Sequence, residues 1–254
     1  MFSQILTALA VSLAVHAQTI YLAGDSTMAP GGGGGVTDGW GQYVGQFFSI
    51  PVVNSAIAGR SARSYTTEGR FSAMLGKVKS GDFVVMEFGH NDVSSGAIDN
   101  GREDASGDSL TATSVVKESD GSTQVIHTFN FYMENAAKAF RTKGATVIIS
   151  SQTPIEKWNA DNTSIATPRP VFVQYAAEVA GNTSATYVDH FSYIVQAYNK
   201  IGEPTVATYY PMDHTHTTPA GATVVAKAFV RALLCGTSTM KRFLNAAGNS
   251  VPSQ

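Results

Sequence analysis

Thr19-Ile20-Tyr21-Leu22-Ala23-Gly24-Asp25-Ser26-Thr27-Met28 decides the fold. A short β-rich run, apolar at consecutive positions, suits a strand covered on both faces, and the small polar residues behind it mark the turn out of the sheet. The same pattern recurs at Pro51 to Asn54, Asp82 to Phe88, Thr146 to Ser150 and Thr186 to Val188. Between these runs lie amphipathic segments: Phe131 to Thr142, stopped by Lys143-Gly144, and Val171 to Ala180, preceded by Pro168 and Pro170. Strands that alternate with helices predict an α/β protein, a three-layer α/β/α sandwich on a parallel sheet with right-handed crossovers.

Such sheets bind ligands beyond the carboxyl ends of their strands. Ser26 follows the first predicted strand, Ala58-Gly59-Arg60 the second and Gly89-His90-Asn91-Asp92 the third. Asp213-His214-Thr215-His216 precedes the last helix, which Thr217 or Thr218 would cap and Pro219 would start. These motifs can supply a serine nucleophile, a histidine base and an aspartate to orient the base. Taken singly, Ser26, Gly59 and Asn91 read equally as turn residues or caps. His214-Thr215-His216 beside Asp213, with Asp189-His190, also fits a zinc ligand pattern, in which Ser26 and Asn91 have no role.

Gly24-Asp25-Ser26-Thr27, Gly59, Gly89-His90-Asn91-Asp92 and Asp213-His214-Thr215-His216 match in order the four blocks of the SGNH (GDSL-type) hydrolases. The resemblance spans residues 19 to 235 and implies a five-stranded parallel sheet of flavodoxin-like order. Within that superfamily, Tyr21 to Met28, Ala58-Gly59-Arg60-Ser61-Ala62-Arg63-Ser64-Tyr65 and Glu87-Phe88-Gly89-His90-Asn91-Asp92 look like rhamnogalacturonan acetylesterases. These are secreted enzymes that deacetylate a pectin backbone without a cofactor.

The resemblance implies catalytic roles for Ser26, Asp213 and His216, and an oxyanion hole from the N–H groups of Ser26 and Gly59 and the Asn91 side-chain amide. A hydroxyl needs a base, and Asp213 and His216 are spaced to share one face of a turn. Glycine at 59 lets backbone approach a substrate oxygen. A carboxylate at Asp25 would oppose an oxyanion, so it reads as a brace for the Ser26 loop, and His90 as a loop-stabilising residue.

The implied polymer carries galacturonate carboxylates. Arg60 and Arg63 are candidate partners for them through the planar guanidinium fork, with salt bridges as the alternative role. Trp40, Tyr65 and Trp158 are candidates for stacking on sugars or for core packing. Another acetylated polysaccharide such as xylan, a small ester, or binding without hydrolysis remain as other readings.

With 17 Lys+Arg against 19 Asp+Glu in 254 residues, the chain lacks a nucleic-acid binder's basic footprint. A soluble monomer without a membrane or nucleic-acid partner and without a metal is expected. Residues 5 to 15 form an apolar run too short to span a bilayer, and Val15-His16-Ala17 suits signal peptidase, so residues 1–17 read as a secretory signal. Residues 18–236 then form the catalytic domain and 237–254 a polar, peripheral tail. Asn162 and Asn182 head glycosylation sequons. Cys235 is the only cysteine, whereas members of the resembled family hold disulfides in the long loop and near the C-terminus. Gly31 to Gly35 and Ser94 to Thr123 are expected to be loops bordering the site, the second either a substrate-binding loop or a small hairpin.

Overall fold

The computed structural model describes residues 17–94, 96–166 and 168–252. The expected signal segment, apart from Ala17, lies outside the described residues, as do the last two residues of the tail. In chain order the elements are β1 (Ile20–Gly24), β2 (Val52–Asn54), α1 (Ala62–Thr67), α2 (Arg70–Leu75), β3 (Phe83–Glu87), β4 (Thr113–Lys117), β5 (Thr123–His127) and α3 (Phe129–Thr142), followed by β6 (Thr146–Ser150), α4 (Val171–Thr183), β7 (Thr186–Val188), α5 (His190–Ile201), α6 (Glu203–Val206), α7 (Pro219–Cys235) and α8 (Ala246–Asn249).

The five expected strands form one parallel sheet in the order β2-β1-β3-β6-β7, with Leu22 opposite Asn54 on one side and Val85 on the other. Counting sheet strands along the chain, this is the flavodoxin-like order 2-1-3-4-5, whose direction reverses between β1 and β3. Strand geometry sends alternate side chains to opposite faces. Ile20, Leu22, Phe83, Val85 and Ile148 therefore pack with α5 and α7, whereas Ala23, Val84, Met86, Val147 and Ile149 pack with α1 to α4. Both faces are covered over β1, β3 and β6, which is why these strands read as nearly continuous apolar runs.

Several boundaries differ from expectation for local reasons. The Thr128 side chain accepts from the Phe131 N–H, so α3 starts at Phe129. Thr218 caps α7 with Pro219 in its first turn. Within the long 94–123 segment, β4 pairs antiparallel with β5, setting Val115 opposite Val125. The hairpin was half hidden because its second strand lies almost wholly beyond the polar stretch. The chain after Gly236 is not peripheral: Met240, Leu244 and Val251 enter the core beside α7, and Ser49 N–H bonds Phe243 O at 2.8 Å. Three well-spaced apolar residues suffice for that docking despite the polar composition around them.

Candidate active site

Ser26 stands just past β1, on a turn closed by its neighbour. The buried Asp25 accepts from the Thr27 N–H and hydroxyl, both at 2.8 Å, through one carboxylate oxygen. Burial pushes the Asp25 carboxyl above its usual range, against the opposing pull of His90 and the Thr27 hydrogen bonds. Asp25 thus braces the turn that carries Ser26.

The other half of the site comes from the loop before α7. The N–H groups of Thr215 and His216 donate to one oxygen of Asp213 at 2.7 and 2.8 Å, folding the loop so that His216 Nδ1 meets the other oxygen at 2.7 Å. The opposite ring nitrogen, Nε2, lies 2.9 Å from Ser26 Oγ, a residue 190 positions away. With Nδ1–H donating to the carboxylate, Nε2 is the acceptor for the serine proton, an assignment that follows from the hydrogen-bond network. Desolvation raises the Asp213 carboxyl, but hydrogen bonds from the His216 ring and from the His216 and Thr215 N–H groups outweigh it and hold the group below its usual range.

Two ties hold the halves together. The Asp38 N–H donates to Thr217 O at 2.7 Å, and the Thr217 hydroxyl donates to Asp38 O at 3.1 Å. Gly33, within the glycine run, lies against the His216 imidazole: a β-carbon there would sit 2.5 Å from His216 Cγ. The run is a wall of the site, and its lack of side chains makes room for the base.

The expected oxyanion groups converge on the same cleft, of about 560 Å³, lined by Ser26, Gly31 to Gly34, Gly59, Asn91, Arg102 and His216. Gly59 has φ +74°, a conformation that other residues adopt only with strain. Among the described residues, the N–H groups of Ser26 and Gly59 donate to no protein acceptor. Asn91 Nδ2 donates to Arg60 O at 3.1 Å, which leaves its second hydrogen free, while Asn91 Oδ1 accepts from Arg102 Nη1 at 3.3 Å. Asp92 secures the arrangement by accepting the Ala62 N–H at 2.7 Å, tying the β3 loop to the start of α1.

The remaining candidates separate. Arg63 is buried, 2% exposed, with Nη1 and Nη2 on the two Asp99 oxygens at 3.0 and 2.6 Å and further bonds to Glu103 O and Gln124 Oε1. It is a structural clamp, unavailable to substrate, because the polar loop needs an internal anchor and no disulfide supplies one. Arg60 pairs with Glu68 at 3.1 Å. Trp40 and Tyr65 are core residues, whereas the half-buried Trp158 donates to Glu156 at 2.6 Å beside the exposed His214. His214 Nδ1 lies 2.7 Å from Glu156, so it turns away from Ser26. His190 is buried between Glu87 at 2.7 Å and Val225 O at 2.9 Å, and His90 Nε2 lies 2.9 Å from the Thr153 hydroxyl. Among the described residues no group of three His, Cys, Asp or Glu side chains could hold a metal ion. Arg102 and Glu156 went unremarked in the sequence: Arg102 falls in a loop without periodicity, and the partner that gives Glu156 its role is 58 positions away.

A serine, histidine and aspartate in hydrogen-bonded line beside free N–H donors, at the carboxyl edge of a parallel sheet, are the apparatus of acyl transfer. The chain belongs to the GDSL-like lipase/acylhydrolase family, whose model matches residues 20–229, and is a carboxylic ester hydrolase. It is 46% identical over 230 residues to the rhamnogalacturonan acetylesterase of Emericella nidulans, covering 91% of this chain and 90% of that one. It is 27% identical over 224 residues to the probable rhamnogalacturonan acetylesterase YesY of Bacillus subtilis, covering 85% and 93%. Among solved structures, the B. subtilis protein YxiM matches with a TM-score of 0.69 at 23% identity, over 87% of this chain and 57% of that one. A catalytic mutant of Axe2, an acetylxylan esterase from Geobacillus stearothermophilus, matches with a TM-score of 0.55 at 18% identity, over 85% and 94%. These two structures share the fold.

Proposed function

We propose that this protein is a secreted, monomeric esterase that removes acetyl groups from rhamnogalacturonan through an acetyl-enzyme on Ser26. The observation that carries the mechanism is the 2.9 Å approach of Ser26 Oγ to His216 Nε2, with Asp213 behind the ring. Ser26 Oγ attacks the acetyl carbonyl carbon as its proton passes to His216 Nε2. The oxyanion is held by the Ser26 and Gly59 N–H groups and the free Asn91 amide hydrogen. Collapse breaks the bond to the sugar oxygen, which takes the proton from His216. A water, deprotonated by the same nitrogen, then attacks the acetyl carbonyl; the bond to Ser26 Oγ breaks, Oγ takes that proton back from His216, and acetate leaves.

The substrate follows from two supports: identity to the E. nidulans enzyme along nearly the whole chain, and a shallow cleft walled by glycine and backbone, suited to a small acyl group on a large polar carrier. All groups of the triad and hole come from one chain, consistent with action as a monomer. Acetate release from acetylated rhamnogalacturonan is the test, with acetylated xylan and long-chain esters alongside. Ser26→Ala is expected to abolish it; wild-type activity in that variant would sink the mechanism, and preference for xylan or long-chain esters the substrate.

Secretion rests on the apolar run 5–15 and Ala17, and amino-terminal sequencing of protein from culture medium should begin at Gln18. Of the two sequons, Asn162 is the one suited to a glycan, being exposed at φ +56°, whereas Asn182 lies within α4 with its amide donating to Glu134 at 2.8 Å. Mass spectrometry of the secreted protein should find sugar at Asn162 alone.

A further inference from the structure

Beside the catalytic cleft lies a second hollow of about 280 Å³, lined by Gly59, Arg60, Ser64, Glu68, Asn100, Gly101 and Arg102. Gly59 and Arg102 line both. The Nη1 group of Arg102 is committed inward, to Asn91 Oδ1 at 3.3 Å and Gly59 O at 3.4 Å. Among the described residues no acceptor engages its Nε or Nη2, and no carboxylate pairs with it. One edge of a planar fork, the edge that takes a carboxylate through two parallel hydrogen bonds, is therefore unused.

The surroundings favour an anion. Glu68, among the described residues the only acid lining the hollow, is held by Arg60 at 3.1 Å and also by Arg70. Burial opposes ionisation of Glu68, but the hydrogen bonds from Arg70 and Arg60 and their charges hold its carboxyl below the usual range, so it stays anionic and paired. Two guanidinium groups, Arg60 and Arg102, against one carboxylate leave a surplus of one positive charge among the residues that line the hollow. Arg102 is also held in place: its N–H donates to Asn100 Oδ1 at 3.0 Å, and the Arg63 clamp fixes Asp99 and Glu103 on either side of that turn. An unpaired guanidinium held next to the oxyanion site is preorganised for a ligand.

We propose that Arg102 and this hollow form a subsite for a uronate carboxylate of the polysaccharide, on a sugar neighbouring the acetylated one. This rests on the acidic-polymer reading above and names the residue that enforces it. Because Nη1 also fixes the Asn91 amide, Arg102 carries a second, positioning role for the oxyanion hole, and the test separates the two.

Two measurements do so. In a Ser26→Ala background, calorimetry reads binding of unacetylated rhamnogalacturonan oligomers with free carboxyls and of the same oligomers methyl-esterified. Arg102→Gln is expected to weaken binding of the free acid on the order of tenfold to a hundredfold, leave the ester unchanged and abolish the preference between them, with Arg102→Lys restoring part of it. In active enzyme, Arg102→Gln should raise KM for acetylated acidic oligomers far more than for their methyl esters. Its positioning role would appear instead as a kcat loss common to both. A preference for the free acid that survives Arg102→Gln, equal binding of acid and ester by the Arg102 protein, or no binding of either overturns the subsite. Failure of the native protein to release acetate from the acidic polymer, with Arg102-dependent binding intact, overturns the substrate reading and leaves the carboxylate subsite standing.

Discussion

The α-carbon of Gly33 lies against the imidazole of His216, so that a β-carbon there would fall 2.5 Å from Cγ. That is well inside contact distance, and it would lie 2.6 Å from Nδ1, the atom that Asp213 holds, so the ring has to move if a side chain is added. Gly33→Ala is expected to lower kcat on the order of a hundredfold, since displacing a catalytic group by about 1 Å costs that much. Steady-state kinetics on a small acetate ester, with circular dichroism to show an intact fold, checks this. Undiminished kcat would show that the loop yields instead of the ring.

Asn91 offers one amide hydrogen to the cleft while its other groups are held by Arg60 O and Arg102. Asn91→Ala should reduce kcat by roughly a hundredfold to a thousandfold, about 3 kcal/mol of transition-state stabilisation, with little change in KM. A change confined to KM would place Asn91 in ground-state binding.

Behind the cleft, Asp92 and Asp104 are buried acids that face one another. Oδ2 of Asp92 and both carboxyl oxygens of Asp104 receive no donor from the protein, and a proton held between the two acids engages one oxygen of each. Burial pushes Asp92 up to about 7 and Asp104 also well above its ordinary value, the Asp92 charge further opposing ionisation of Asp104. A pKa raised on folding means that the native state holds the proton more tightly than the unfolded chain. The pair's contribution to stability is therefore fully present below about pH 4 and is lost as pH rises towards 7. Thermal melts across that range should show Tm falling with pH, and Asp104→Asn should flatten the slope. An unchanged slope in that variant would assign the titration to other groups.

Arg63 is fixed by Asp99 on one side and by Gln124 of β5 on another. Arg63→Met strands a buried carboxylate and should cost about 3–5 kcal/mol, seen as a lower denaturation midpoint. A rise in KM for polymer with unchanged stability would instead return Arg63 to the substrate.

How much was legible beforehand varies with the range of the interaction. β6 and β7 match their expected limits residue for residue, and β6, buried from Val147 to Ser150, shows why such a strand reads as an unbroken run without charge. The meeting of Ser26, His216 and Asp213 was legible because three of its constraints are local: Gly-Asp-Ser at a strand end, the spacing from Asp213 to His216, and Thr218-Pro219 starting a helix. Arg63 shows the opposite. An arginine beside the oxyanion glycine looks equally suited to a ligand or to an ion pair, and only the position of Asp99, 36 residues on, decides between them. The tail's docking and the hairpin's second strand were hidden likewise, since a few apolar residues in a polar stretch acquire meaning only from the surface they meet.

The sequence by itself determined the layers, the sheet edge on which the motifs lie and the serine, histidine and aspartate that could meet there, because patterning and short spacing act within a few residues. The tertiary structure alone decided that Ser26 and His216 stand 2.9 Å apart, that Gly33 must lack a side chain, and that Arg63 is a clamp while Arg102 faces the cleft. Those are distances between parts of the chain remote from one another, and close packing of the whole molecule is what fixes them.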